Sequence, residues 1–231
     1  VDLKSQKSTA SFSPHGVVAS ANFSMDGKLV VTGSWDSSAR IWNASTGEVI
    51  RKLSDQNGHA GSVLSACFSP DGESRYVLTA GDAGNVILWE RETGKIVSKI
   101  VAHKNSRVNH ATFSPDGSRI LTSSSDKTAR LWNLNTGKME REFKGHIWPV
   151  LSAAFSDKGE WIITASEDNT ARVWETATAK QLFELKGHTG NVNAAAFAPN
   201  TKHRAVTASQ DGTVKIWDLN ESMSDEAEET K

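Results

Sequence analysis

Five tryptophans, Trp42, Trp89, Trp132, Trp174 and Trp217, stand 47, 43, 42 and 43 residues apart. Histidines keep step with them: His15, His59, His103, His146 and His188. A chain with such a period must fold as a row of like units. No unit can bury its apolar face alone, so stacking on its neighbours supplies the core. A period of ~40–45 residues matches one four-stranded antiparallel unit. Within one period, "VLSACFSPDGESRYVLTAGDAGNVILWERETGKIVSKIVAH" holds short strand-like runs separated by Asp-Gly and Thr-Gly turns. No sustained helical period interrupts the array.

The turn residues have mechanical reasons. Asp26-Gly27, Asp71-Gly72 and Asp116-Gly117 link the first and second strands of their units. Glycine accepts a positive φ there, and the aspartate can hydrogen-bond its own backbone. Gly47, Gly94 and Gly137 mark the third turn, and Ala179 replaces glycine in the fourth unit. The fifth unit reshapes its first turn as "APNTKH".

The motifs Gly58-His59, Gly145-His146 and Gly187-His188, two copies of "FSPDG", and the runs "SWDSSARIW", "SSDKTARLW", "SEDNTARVW" and "SQDGTVKIW" resemble WD-repeat β-propellers. Of the repeat tryptophans only Trp217 is followed by Asp; the others precede Asn or Glu. The expected fold is all-β, with five four-stranded antiparallel blades over about 15–58, 59–102, 103–145, 146–187 and 188–220. The resemblance implies a structural tetrad in each blade, made of a His, an Asp, a Ser or Thr and the Trp. By position these are His15, Thr32, Asp36 and Trp42 in the first blade, and His59, Thr79 and Trp89 in the second. The third has His103, Thr122, Asp126 and Trp132. The fourth has His146, Thr164, Asp168 and Trp174, and the fifth His188, Thr207, Asp211 and Trp217. Ser34, Ser124, Ser166 and Ser209 share the strand face of these threonines and are further candidates. Read as chemistry, the same residues would be a His/Asp/Ser hydrolase. Catalysis does not need a copy per period, so the set is read as mutual satisfaction of buried polar groups. The second repeat is defective, with Ala83 at the Asp position, Asp82 one place early and Gly81 for the Ser. A weakened network and a looser blade are expected there.

Composition narrows the function. The 26 Lys plus Arg balance 27 Asp plus Glu, so no global field favours nucleic acid or an acidic membrane. The apolar runs are too short to span a bilayer, and there is no signal-peptide pattern. One cysteine, Cys67, fits a reducing, intracellular and cytoplasmic setting. Cys67 reads as a small packed side chain, and His110 and His203 as strand-packed or exposed histidines rather than metal ligands. Arg40, Arg130, Arg172 and Lys215, each two before a repeat Trp, read as stems packed between blades. No metal site and no cofactor motif is expected.

The first fifteen residues align with "WNLNTGKMEREFKGH": Val1 falls on Trp132, Leu3 on Leu134, Phe12 on Phe143 and His15 on His146. Residues 4–13 are therefore expected to form the fourth strand of the last blade or of a preceding one. Either five blades close on themselves, or the array is an excerpt of a larger ring, for which the resemblance implies seven blades. Open blade edges would allow self-association. Residues 221–231 read as an acidic flexible tail.

The resemblance implies a non-enzymatic scaffold that binds other proteins or peptides on its loop face. The alternative is a regulatory or targeting domain of a larger enzyme, such as a kinase. Candidate contact residues precede the Asp positions, namely Trp35, Asp82, Ser125, Glu167 and Gln210, or enter the first strands. The latter are Ser62 and Leu64, Arg107 and Asn109, Pro149 and Leu151, and Asn191 and Asn193. Trp148 joins them because the repeat does not explain it; Trp161 reads as a packed strand residue.

Overall fold

A computed structural model describes residue 11 and residues 16–54, 56–201 and 203–219. The described residues form strands, turns and loops, with no helix. The expected fourth strand at 4–13, His15 and the acidic tail at 221–231 fall on residues outside this description, apart from Ser11.

The strands form five antiparallel meanders. The first sheet holds β1 (Val18–Phe23), β2 (Leu29–Ser34), β3 (Ala39–Asn43) and β4 (Val49–Leu53). The second holds β5 (Val63–Phe68), β6 (Tyr76–Gly81), β7 (Asn85–Glu90) and β8 (Ile96–Val101). The third holds β9 (Val108–Phe113), β10 (Arg119–Ser124), β11 (Thr128–Asn133) and β12 (Met139–Lys144). The fourth holds β13 (Val150–Phe155), β14 (Trp161–Ser166), β15 (Thr170–Glu175) and β16 (Gln181–Lys186). The fifth has three described strands, β17 (Val192–Phe197), β18 (Arg204–Ser209) and β19 (Val214–Asp218). Every repeat Trp lies on the third strand of its blade. Second strands such as β14, "WIITAS", are buried along almost their whole length, because the sheet is covered on both sides. Outer strands such as β8, "IVSKIV", alternate half-buried with exposed.

The core lies between blades rather than within them. Ile41 and Leu53 of the first blade pack with Phe68, Ile87 and Trp89 of the second. Leu88 and Leu78 of the second meet Phe113, Ile120 and Trp132 of the third. Leu131 and Phe143 meet Ile162 and Trp174, and Val173 and Leu185 meet Val192 and Ala205. Trp161 packs in the last junction against Phe183, Phe197 and His203, with ring centroids 5.8, 6.4 and 5.9 Å away. The stacking leaves two uncovered faces. Phe23 is 67% exposed, whereas Phe68 at the same position one blade on is 8% exposed. Ile216 is 69% exposed, whereas Val173 is fully buried.

The turns behave as their residues require. Gly47, Gly94 and Gly137 take φ of 76°, 70° and 65°. Ala179 holds the same left-handed conformation at φ 61° without a glycine's freedom. Its amide still donates to the Glu175 carbonyl, as Gly137 donates to Asn133.

Candidate functional site: the loop rim

In the third, fourth and fifth blades the tetrads hold the loops that precede the first strands. In the third blade Trp132 Nε1–H donates to Thr122 Oγ1 (3.1 Å). His103 lies with Nε2 2.8 Å from Thr122 Oγ1 and Nδ1 2.8 Å from Asp126 Oδ2. The fourth blade repeats this with Trp174, Thr164, His146 and Asp168 at 2.9, 2.8 and 2.8 Å. The fifth repeats it with Trp217, Thr207, His188 and Asp211 at 2.9, 2.7 and 2.8 Å. In the first blade Trp42 donates to Thr32 (2.9 Å), and Asp36 accepts from Arg40 (2.7 Å). Burial works against the Asp126 and Asp168 carboxylates, but hydrogen bonds from His103 and Thr128, and from His146 and Thr170, outweigh it. Both carboxyls are held well below the usual range. Burial also pushes the His103 imidazole down, against the pull of Asp126.

The second blade keeps Trp89 to Thr79 (2.7 Å) and Thr79 to His59 (2.8 Å). His59 Nδ1 is buried with no hydrogen-bond partner among the described residues, and desolvation, reinforced by Lys99, pulls the imidazole down to about 4. Asp82 turns to the rim and accepts from Arg107 Nε of the next blade (2.8 Å). The weakened network is as expected. The looseness is not seen, since Ile87 and Trp89 are fully packed.

Three of the four candidate serines lie outside the tetrads. Ser124, Ser166 and Ser209 donate instead to the carbonyls of Arg107 (2.7 Å), Trp148 (3.1 Å) and Gly190 (2.8 Å). They also accept from the amides of Asp126, Asp168 and Asp211. A hydroxyl on the strand face beside the Thr is one residue pair nearer the rim, so it reaches the loop backbone rather than the His ring. These serines are a second tie on each loop, which spacing alone does not reveal.

The two sets of rim candidates are brought together pairwise. The amides of Asp82, Ser125, Glu167 and Gln210 donate to the carbonyls of Ser62, Arg107, Pro149 and Asn191 at 2.9–3.1 Å. Trp35 donates likewise to Val17 (2.9 Å). Each first strand carries a bulge at the same place, and Leu64, Asn109, Leu151 and Asn193 are the extra residues there. A bulge frees a residue from ladder pairing where a sheet meets a site. Asn109 uses that freedom to donate to the Val150 carbonyl of the next blade (2.8 Å). Trp35 and Trp148 are 58% and 56% exposed.

Cys67 and His110 line one cavity of ~400 Å³ along the first strands of the middle blades. Burial pushes the Cys67 thiol up to about 12, far from a reactive thiolate. Among the described residues no three His, Cys, Asp or Glu side chains are placed to hold a metal ion. No helix among them is long and apolar enough to cross a membrane. Arg40, Arg130 and Arg172 form ion pairs rather than a basic stripe: Arg40 with Asp36, Arg130 with Asp126 and Glu142, and Arg172 with Glu184.

Repeated antiparallel blades, tied by His–Thr–Trp hydrogen bonds and stacked through their faces, define a WD-type propeller array. The chain belongs to the WD40 family (WD domain, G-beta repeat), which matches residues 6–43, 47–90, 94–133, 137–175 and 179–218. It is 27% identical over 123 residues to transcription initiation factor TFIID subunit 5 of Caenorhabditis elegans, covering 53% of this chain and 18% of that protein. It is 28% identical over 159 residues to protein HIR1 of Kluyveromyces lactis (56% and 18%). It is 29% identical over 118 residues to small ribosomal subunit protein RACK1y of Oryza sativa (51% and 33%). The chain spans a third or less of these relatives.

Proposed function

We propose that the chain is a non-enzymatic interaction platform inside the cell, and that its loop rim docks other proteins through Trp35 and Trp148. The observation that carries this is their exposure on loops whose backbone is already tied down. The repeat accounts for the His, Thr, Asp and repeat-Trp side chains, but not for these two. Large aromatic side chains exposed on a rigid rim have the character of interface anchors. Relatives that are a transcription initiation factor subunit and a ribosomal subunit protein support a role within assemblies. The test is Trp35→Ala with Trp148→Ala. The melting midpoint should stay nearly unchanged, while capture of native partners falls by ~2 kcal/mol of binding energy or more. Wild-type recovery by the double variant would move the site to the blade sides or the acidic tail.

The exposure of Phe23 and Ile216, at positions that inner blades bury, favours a second mode of contact. These faces would pair with blades of another copy. Light scattering over a dilution series should show association that Ile216→Glu abolishes. A monomer at every concentration would remove this mode.

A further inference from the structure

The loops that enter β9, β13 and β17 hang from the same scaffold but present different side chains. After His146 the chain reads Ile147-Trp148-Pro149, and after His188 it reads Thr189-Gly190-Asn191. Both are pinned alike. Ile147 N–H and Thr189 N–H donate to the Asp168 and Asp211 carboxylates (3.2 and 3.0 Å). The carbonyls of Trp148 and Gly190 accept from Ser166 and Ser209. The fold therefore does not ask for large apolar groups here. At the place of Trp148 the fifth blade uses Gly190, where a Cβ would come within 2.9 Å of the Asp211 amide. Ile147 is nonetheless 65% exposed beside Trp148. A loop already ordered loses little further entropy when a partner covers it.

The charges around this loop are asymmetric. Lys127 of the third blade holds its ammonium 5.7 Å from the Trp148 ring centroid. It forms no ion pair among the described residues, and neither does the exposed Lys104 of the same blade rim. Arg107 there is paired with Asp82, and Asp126 is turned inward to His103 and Arg130. On the fourth-blade side stands Glu167, whose amide is bonded to Pro149.

We infer that the Ile147–Trp148 loop binds an acidic segment with an apolar anchor: the anchor covers Trp148 and Ile147, and the carboxylates point toward Lys127 and Lys104, away from Glu167. This rests on reading the rim as a docking surface and adds the chemistry and orientation of the partner. The test is fluorescence anisotropy with labelled synthetic peptides in which Leu and Phe alternate with Glu, with Gln, or with Lys. The Glu peptide should bind tightest and weaken with salt. Trp148→Ala should abolish the difference between peptides. Lys127→Glu should weaken the Glu peptide about fivefold, and Glu167→Gln should tighten it. Lys127→Gln, with an unchanged melting midpoint, controls for folding. A Gln or Lys peptide that binds as well as the Glu peptide, or indifference to Lys127→Glu, overturns the inference. In that case loss of native partners in Trp148→Ala would still uphold the docking surface, so the two readings fail separately.

Discussion

The second and fourth blades share a backbone and differ in the polar set inside it. In the fourth, His146 meets Asp168, and Arg172 meets Glu184, which meets Lys186. In the second, the Asp position is Ala83, the Arg position is Ile87, and the residue paired with Ile87 across the strands is Lys99 where the fourth blade has Glu184. The whole charged chain is gone, and Ile87 is fully buried in the junction with the first blade. Keeping one member alone would leave a buried charge without its partner, which is worse than an apolar core. In the second blade the aspartate, the arginine and its glutamate partner are replaced together, whereas the first blade keeps Asp36 and Arg40 opposite Lys52. What the second blade did not exchange is His59, and its Nδ1 is the atom left over.

The sharpest way to break this comparison is to return one charge to the second blade. Ile87→Arg would put a guanidinium into the junction opposite Lys99, with no carboxylate at position 83. The loss of packing and the unpaired charge should together cost about 3–5 kcal/mol. Urea denaturation measures it. A loss under ~1 kcal/mol would mean that the junction is wet enough to solvate a cation.

Next in size is removal of a carboxylate the fourth blade does use. Asp168→Ala strips the acceptor from His146 Nδ1, Ile147 N–H and the Thr170 hydroxyl. A loss of ~2–3 kcal/mol is expected. Ala83→Ser at the same place in the second blade should shift stability by less than ~0.5 kcal/mol. Equal effects at the two sites would refute the tetrad assignment.

A partial repair sharpens the comparison. Ala83→Asp offers His59 Nδ1 an acceptor and should stabilise by ~1 kcal/mol, the carboxylate's desolvation offsetting part of the gain. The pH profile is more telling. His59 is pulled from 6.5 down to about 4 in the fold, so the unfolded chain binds the extra proton between those values. Stability then falls as pH drops through 6.5 and levels off near 4, with a share from His59 of up to roughly 3 kcal/mol. His103, also pulled down, adds to the same slope. The depressed Asp168 and Asp126 carboxylates act lower, where stability is lost as pH falls below 3.8. In Ala83→Asp the new carboxylate holds the His59 proton, so the acid slope should flatten and the His59 NMR titration should move up. An unmoved titration would show that His59 does not face position 83.

The repeat made the blade order and the tetrad positions readable, because hydrogen-bonding side chains recur only where strand, turn and loop come into register. The Ala83 gap was legible for the same reason. The compensation was not, since Ile87 and Lys99 are unremarkable strand residues until the cross-strand pairing sets them opposite one another. Ser124 and Ser166 looked equivalent to the tetrad threonines. They proved to be loop ties, because one residue pair nearer the rim the hydroxyl meets the loop carbonyls rather than the His ring. Exposure of Trp35 and Trp148 followed from their turn and loop positions, whereas the cation over Trp148 comes from another blade and leaves no local trace.

The smallest effect belongs to the aspartate that sits one place early. Asp82 bonds Arg107 at 2.8 Å, much as Asp168 bonds His146, yet both side chains are substantially open to water. In that setting the attraction is screened and offset by the entropy of holding the two side chains, so an exposed pair contributes ~0–1 kcal/mol. Asp82→Asn should therefore lower stability by less than ~1 kcal/mol, and the difference from wild type should vanish at about 1 M salt, where the screening length is near 3 Å. It should also release Arg107 beside Lys104 and Lys127, which form no ion pair among the described residues, so the Glu peptide should bind slightly tighter while the fold barely changes. A destabilisation as large as that of Asp168→Ala would mean that Asp82, despite its displaced register, has taken over the tetrad's work in the second blade.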